Sequence, residues 1–339
     1  MNMPSSRAFI DCHVHLAALP EGGNGCFISN KMLRSPLFIF LLWKHVLSVK
    51  DPSGANRKYV RDLLQELRAS EFVGKAVLLG MDGVYSGNGQ LDMNATEFLI
   101  SNDYVLTQAN THPGEFLAGV SINPQRRDAI EELHRCAEAG AVLVKVLPNA
   151  QQFDPAQDRY KEFYRTLASL KLPLLSHVGY EFSLIGKDQS VGDPNRLRIA
   201  LEEGATVIAA HACSYGLMIY EKFVPTLLDF VHHYPDFYAD VSALTLPNRM
   251  LMLRILRHHP EVFDRLLFGT DYPLSVFHLP AWGLVDLRTL WKLIQTKNRF
   301  DRQFLLCRHI GIGVRSFQNL LTPPSNCPPH LTQASNPLT

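Results

Sequence analysis

Asp11-Cys12-His13-Val14-His15 closes the apolar run Ala8-Phe9-Ile10, and three later runs end in the same manner. Leu172-Pro173-Leu174-Leu175 leads into Ser176-His177, Val207-Ile208-Ala209 into Ala210-His211, and Leu266-Leu267-Phe268 into Gly269-Thr270-Asp271. Each run is short and apolar without alternation, the pattern of a strand buried on both faces of a parallel sheet. Parallel α/β sheets and barrels place their chemistry at the carboxyl ends of such strands. An ionisable side chain at that position is expensive unless it is paired, hydrogen-bonded or bound to a metal. His13, His15, His177 and His211 converging with Asp271 would make a transition-metal site.

Working outward, eight strands are expected at Ala8–His13, Ala76–Met81, Phe116–Ser121, Val142–Leu147, Leu172–His177, Thr206–His211, Phe237–Val241 and Leu266–Asp271. From the second onward their starts are about 25 to 40 residues apart, the length of one strand–helix unit. Eight such units predict a (β/α)8 TIM barrel. Helices are expected at Ala129–Ala139, Tyr160–Leu170, Asn195–Glu203 and Leu246–His259. Gly140 and Gly204 follow two of them as C-terminal caps, and Asp193-Pro194 opens the third.

The connection after the first strand, 17–56, is much longer than an ordinary loop and holds the apolar stretch Leu37–Leu47. Loops of that length inside a compact domain are usually lids or binding loops. It is expected to form a partly helical cap over the barrel mouth, with a helix packed on the barrel side as the alternative. The expected domain is 1–321, with no N-terminal β-sandwich, and the Pro-rich tail 322–339 is expected to be disordered.

Bulk properties narrow the function. Of 339 residues, 46% are apolar and 19% charged, and the net charge is +1. Neither a basic stripe nor a nucleic-acid reader motif occurs, so nucleic-acid binding is not expected. The six cysteines are scattered without a CxxC pair, which suits free thiols in a reducing compartment, and a cytoplasmic location is expected. Pro36–Trp43 is too short to span a bilayer, so no membrane association is expected.

His13 and His15 are two apart, so a strand projects both rings from one face. The pleat should then turn Cys12 toward the outer helices. His112, His134, His232, His233, His258, His259, His278 and His309 lack the strand-end context and are read as structural or solvent-facing. Lys145, Asn149, Tyr180, Glu181 and Tyr272 lie at or just beyond strand ends, as do Asp82 and Asp240, and are expected to face substrate at the mouth. Asp240 could equally orient a ligand histidine, and Tyr272 could pack under Pro273. Arg34 and Trp43 are candidate contacts from the long loop.

Taken in order, Asp11-Cys12-His13-Val14-His15, Val144-Lys145-Val146-Leu147-Pro148, Leu175-Ser176-His177-Val178-Gly179, Ala210-His211-Ala212, Tyr238-Ala239-Asp240-Val241-Ser242 and Phe268-Gly269-Thr270-Asp271-Tyr272-Pro273 resemble the amidohydrolase superfamily. The match is nearest to its amidohydrolase-related branch, which includes decarboxylases of the aminocarboxymuconate-semialdehyde type and lactone hydrolases. The resemblance implies that His13, His15, His177 and Asp271 bind one zinc ion, which makes hydroxide available near neutral pH. It also implies that Asp271 is the general base and that His211 polarises the substrate carbonyl or aligns the nucleophile. A carboxylated Lys145 bridging a second ion is the two-metal alternative; an unmodified Lys145 would meet a substrate anion.

The leading expectation is therefore hydrolysis of an amide, cyclic amide or lactone in a small molecule. The first alternative is non-oxidative decarboxylation of a small unsaturated or aromatic carboxylic acid, and the second a catalytically silent scaffold. A homodimer is what the resemblance implies for assembly.

Overall fold

The computed structural model describes residues 7–182, 184 and 188–321. The tail expected to be disordered lies outside the described residues. Eight parallel strands follow one another around a nearly closed barrel: β1 Phe9–His15, β2 Val73–Leu79, β3 Phe116–Ser121, β4 Ala141–Val146, β5 Leu174–Ser176, β6 Val207–Ala209, β7 Phe237–Asp240 and β8 Leu266–Leu267. The fold is the expected (β/α)8 TIM barrel. β2 begins earlier than expected, and Met81, assigned to it from sequence, instead bridges Ile100 in an antiparallel contact.

Two devices draw β8 against β1. At the carboxyl end Cys12 N donates to Phe268 O (3.0 Å), Asp271 N to His13 O (2.9 Å) and His15 N to Tyr272 O (2.9 Å). At the amino end the segment after the last long helix wedges into the seam. Phe268 N donates to Arg315 O (2.9 Å), Arg315 N to Leu266 O (2.7 Å) and Ile10 N to Ser316 Oγ (3.0 Å).

The core has two layers. Ile10, Cys12, Val77, Leu79, Leu143, Leu175, Ile208, Ala210 and Leu267 fill the inside of the barrel beneath the site, with Phe317 below them. Val14, Leu63, Leu67, Val105, Leu133, Leu167 and Leu253 belong to the outer layer between strands and helices. Cys12 thus packs inward, not toward the helices as the simple pleat predicted. The reason is a register shift between Asp11 and Val14 in the pairing of β1 with β2, which breaks the two-residue alternation.

Helices form at Ala129–Glu138 and Lys161–Leu170, as expected. The segment after Asp193 is a 3-10 turn, Pro194–Leu197, followed by the helix Arg198–Glu202. The helix expected from Leu246 starts only at Met250, because Pro247 and the turn bonds from Arg249 N to Leu246 O (2.9 Å) hold the chain outside it.

The long first connection contains the short strand Phe27–Ile28, paired with Phe98–Leu99, and the helices Asn30–Leu33 and Pro36–His45. Leu19, Ile28, Met32, Phe38 and Ala55 give it a small core of its own. The end of helix Pro36–His45 leans on the segment after β8, where Lys44 Nζ donates to Ser275 Oγ (2.9 Å). Among the described residues no helix is long and apolar enough to cross a membrane.

Candidate metal centre

The centre is assembled where β1 meets the extension of β8. Asp11, fully buried, accepts from His13 N (2.8 Å), from Thr270 N (3.2 Å) and from Thr270 Oγ1 (2.6 Å). That clamp joins two segments about the site that are far apart in sequence. Asp271 then leaves the strand with a left-handed backbone, φ 63, a conformation in which aspartate is among the better-tolerated residues. Its Oδ1 lies 3.0 Å from His15 Nε2 and 3.5 Å from His13 Nε2. The ligand atoms of His13, His15 and Asp271 all fall within 4.8 Å of one another.

His13 is oriented from behind. Its Nδ1 is 2.7 Å from Asp240 Oδ2, and Ser242 Oγ is 3.0 Å from the same nitrogen. With Nδ1 donating to the carboxylate, Nε2 keeps its lone pair for an ion. Asp240 Oδ1 accepts from His211 N (3.0 Å), Ser242 N (2.9 Å) and Ser242 Oγ. His13, His211 and Asp240 also cluster tightly. Because these Asp240 oxygens are engaged as hydrogen-bond acceptors, that second group is a supporting network. Asp240 thus orients His13, one of the two roles that the sequence left open for it.

His211 sits at the start of three consecutive left-handed residues, His211 (φ 57), Ala212 (φ 48) and Cys213 (φ 60). Such strain in non-glycine residues persists where surrounding structure holds it, often at functional sites. Here the holding bonds are those of Asp240 to His211 N and of Ser242 Oγ to His211 Nδ1 (2.8 Å). The His211 ring stacks on His13 with centroids 5.3 Å apart, and its Nε2 is 3.3 Å from His177 Nδ1.

His177 stands beside His211 and outside the 4.8 Å trio, so the four expected ligands occur as three plus a neighbour. The Nε2 of His177 is buried without a hydrogen-bond partner, with Glu181 Oε2 3.6 Å away. Burial pushes the imidazoles of His13, His177 and His211 below their ordinary range, His177 and His211 well below it. They are therefore neutral, as metal ligands must be. Asp271 moves the other way: burial opposes its ionisation, but the imidazoles of His13 and His15 hold it well below the usual carboxylate range. Neutral imidazoles, one ionised carboxylate and a buried orphan nitrogen fit a divalent cation.

Among the described residues, two buried cations face this set. Lys145 is fully buried, with Nζ 3.3 Å from His13 Nε2, and burial lowers its pKa to about 8. Arg249 is 4% exposed and donates to Ser214 O (2.9 Å) and Tyr180 O (3.0 Å). Its charge acts on His177 and His211. Arg249 was missed from sequence, where Met250-Leu251-Met252-Leu253 beside it suggested a helix on the outer layer. The signal that was there is a basic residue set against that apolar run, shortly after the Asp240-Val241-Ser242 strand end.

The other expected contacts divide. Asn149 is buried, donates to Gln189 Oε1 (2.9 Å), and leaves Oδ1 without a partner. Tyr180 packs edge-on to Tyr215, and Glu181 lies by His177. Tyr272 points away from the centre. Its ring is stacked on Phe300 (5.9 Å, 3°), set edge-on to Tyr59 and covered by Arg299. The residue after Asp271 must face the opposite side of the chain, so Tyr272 belongs to the packing between barrel and outer helices. Asp82 is saturated by Gly83 N (2.8 Å), Asn123 N (2.8 Å) and Tyr85 Oη (3.0 Å). Arg34 caps the helix Asn30–Leu33 and is exposed, and Trp43 is 75% exposed; neither is gathered with the histidines.

A family model described as Amidohydrolase matches residues 10–297. No curated protein matches the chain. Among solved structures, an uncharacterized TIM-barrel protein, Bb4693 from Bordetella bronchiseptica, is similar at 16% identity and TM-score 0.56, covering 89% of this chain and 99% of that one. A 2,6-dihydroxybenzoate decarboxylase complexed with 2,6-dihydroxybenzoate is similar at 15% identity and TM-score 0.50, covering 90% and 99% respectively.

Proposed function

The chain belongs to the amidohydrolase family, and from that premise we propose that it is a metal-dependent decarboxylase of a small unsaturated or aromatic carboxylic acid. The observation that carries this reading is the buried amine of Lys145 against His13 Nε2, with the charge of the buried Arg249 guanidinium acting on His177 and His211. Burial disfavours both charges, and the protein's own carboxylates, Asp240, Asp271 and Glu181 among them, offset this only in part. A substrate carboxylate drawn to the two would add to that compensation. The solved 2,6-dihydroxybenzoate decarboxylase, built on a similar fold, lends support of a general kind.

His13, His15 and Asp271, with His177 beside them, would hold one divalent ion, which we read as zinc. Bound there, it would supply Lewis acidity and a water of lowered pKa. Lys145 and Arg249 bind and orient the substrate carboxylate. Asp271, ionised at rest, moves the proton: it takes one from a water molecule and delivers it to the carbon bearing the carboxylate. The carbon–carbon bond then breaks as carbon dioxide leaves, and the hydroxide left behind is reprotonated from solvent. The electron pair of that bond returns to the unsaturated system, so no oxidant is needed. Asp240 and Ser242 keep His13 and His211 in place throughout.

Hydrolysis of an amide, cyclic amide or lactone is the second reading, and His211 favours it. Ser242 fixes its Nδ1, leaving Nε2 turned to the cluster, where it could polarise a carbonyl. The same 3.3 Å approach of His177 and His211 suits a two-ion site bridged by carboxylated Lys145. Metal-loaded enzyme incubated in deuterium oxide with hydroxylated benzoates and unsaturated acids should release carbon dioxide and place deuterium on the vacated carbon. Turnover of lactones or amides without any carbon dioxide release would replace this reading with the hydrolytic one.

A further inference from the structure

Outside the barrel, an open cleft of about 610 Å³ lies between helix Pro36–His45, the segment after β8 and the start of helix Arg299–His309. Lys44, Lys297, Arg299 and Arg302 line it, with Glu66 as the acidic residue among its lining and Ser275 contributing a hydroxyl. Glu66 is already committed: Arg299 Nε is 3.0 Å from each of its oxygens, and Arg299 N donates to Oε1 at 2.8 Å. Lys44 and Arg302 make do with neutral acceptors. Lys44 Nζ donates to Ser275 Oγ (2.9 Å) and Pro273 O (3.4 Å). Arg302 donates to Thr296 O (2.7 Å) and Val276 O (2.8 Å). Lys44 and Arg299 even share one acceptor, since Arg299 Nη1 also donates to Pro273 O (2.7 Å).

Like charges crowded on one carbonyl oxygen repel, and partial burial reduces the screening that water would provide. Burial and the neighbouring Arg299 both push the Lys44 amine below its ordinary value. An added anion would relieve this through charge-assisted hydrogen bonds from lysine and arginine together, with Ser275 as a neutral donor. A monovalent ion would leave most of the positive charge unmatched, so the charge balance selects a multiply charged ligand. We infer that this cleft binds a small polyvalent oxyanion, phosphate-bearing or polycarboxylate, and thereby ties helix Pro36–His45 to the segment that follows Asp271. The inference is independent of the chemistry assigned to the centre.

The test is calorimetric titration of the metal-loaded full chain with pyrophosphate and, separately, citrate, at constant ionic strength. A saturable isotherm is expected with at least one, and the better ligand identifies the source. Lys44→Met and Arg302→Met should each weaken it about tenfold or more, while Lys145→Met leaves it unchanged. Because Arg302 also ties down two carbonyls, the exposed Lys297→Met carries the same test if Arg302→Met fails to fold. The inference is overturned if no saturable heat appears, if the cleft variants bind as well as the parent, or if Lys145→Met abolishes binding and so assigns the anion to the centre.

Discussion

On the β1–β8 side of the centre, Asp11 holds Thr270 and the His13 amide, Asp240 holds His13 and His211, and Asp271 N is tied to His13 O. On the β5 side, His177 Nε2 and Asn149 Oδ1 are buried with no hydrogen-bond partner among the described residues. One side is finished by the protein; the other leaves polar valences open. Buried polar atoms in native proteins are nearly always satisfied, so the open ones that lie beside the histidine cluster are where a ligand can complete the structure. The contrast therefore separates residues that build the centre from residues that wait for something to enter it.

The largest effect is expected on the open side. His177→Ala should lower metal content and cost more activity than the ~10–100-fold typical of losing a supporting hydrogen bond behind a ligand; elemental analysis alongside turnover measures both. If the variant binds metal and turns over like the parent, His177 is not a ligand and the contrast loses its meaning.

A middle-sized effect belongs to the finished side. Thr270→Val leaves Asp11 short of a donor inside the protein and should lower stability by about 1–3 kcal/mol, read from denaturant unfolding of metal-free protein. Unchanged stability would mean that the clamp between β1 and β8 is not a structural device.

The last effect concerns pH. Burial pushes Asp11 up to about 8, despite the donors aimed at it. Its folded pKa thus exceeds the unfolded value near 3.8. The native state then holds a proton that the unfolded state releases, so this contribution to stability is full below the unfolded value and fades as pH rises through about 8. The melting temperature of Asp11→Asn relative to the parent should therefore climb between those limits. A constant difference across that range would show that Asp11 is already ionised in the fold.

Much of the centre could be read in advance because ionisable residues at the ends of buried strands are rare. His13, His15, His211 and Asp271 stand out from the apolar runs before them, and period-two geometry puts the first two on one face. Arg249 could not be found that way. It arrives from a loop, and only the fold carries it to the histidines. Tyr272 had the right position along the chain and the wrong direction, which a one-residue change of side is enough to produce. Cys12 was misdirected for a related reason, the irregular register of β1 against β2.

By itself, then, the order of apolar runs and polar strand ends determined the barrel and most of the residues gathered at its mouth, because strand burial and side-chain alternation are local properties. Tertiary structure alone decided which polar groups are already satisfied, that His177 turns to His211, that Lys145 and Arg249 face the centre as buried cations, and that other cations gather in the outer cleft. Those outcomes depend on distances between segments remote in the chain, which no local pattern encodes.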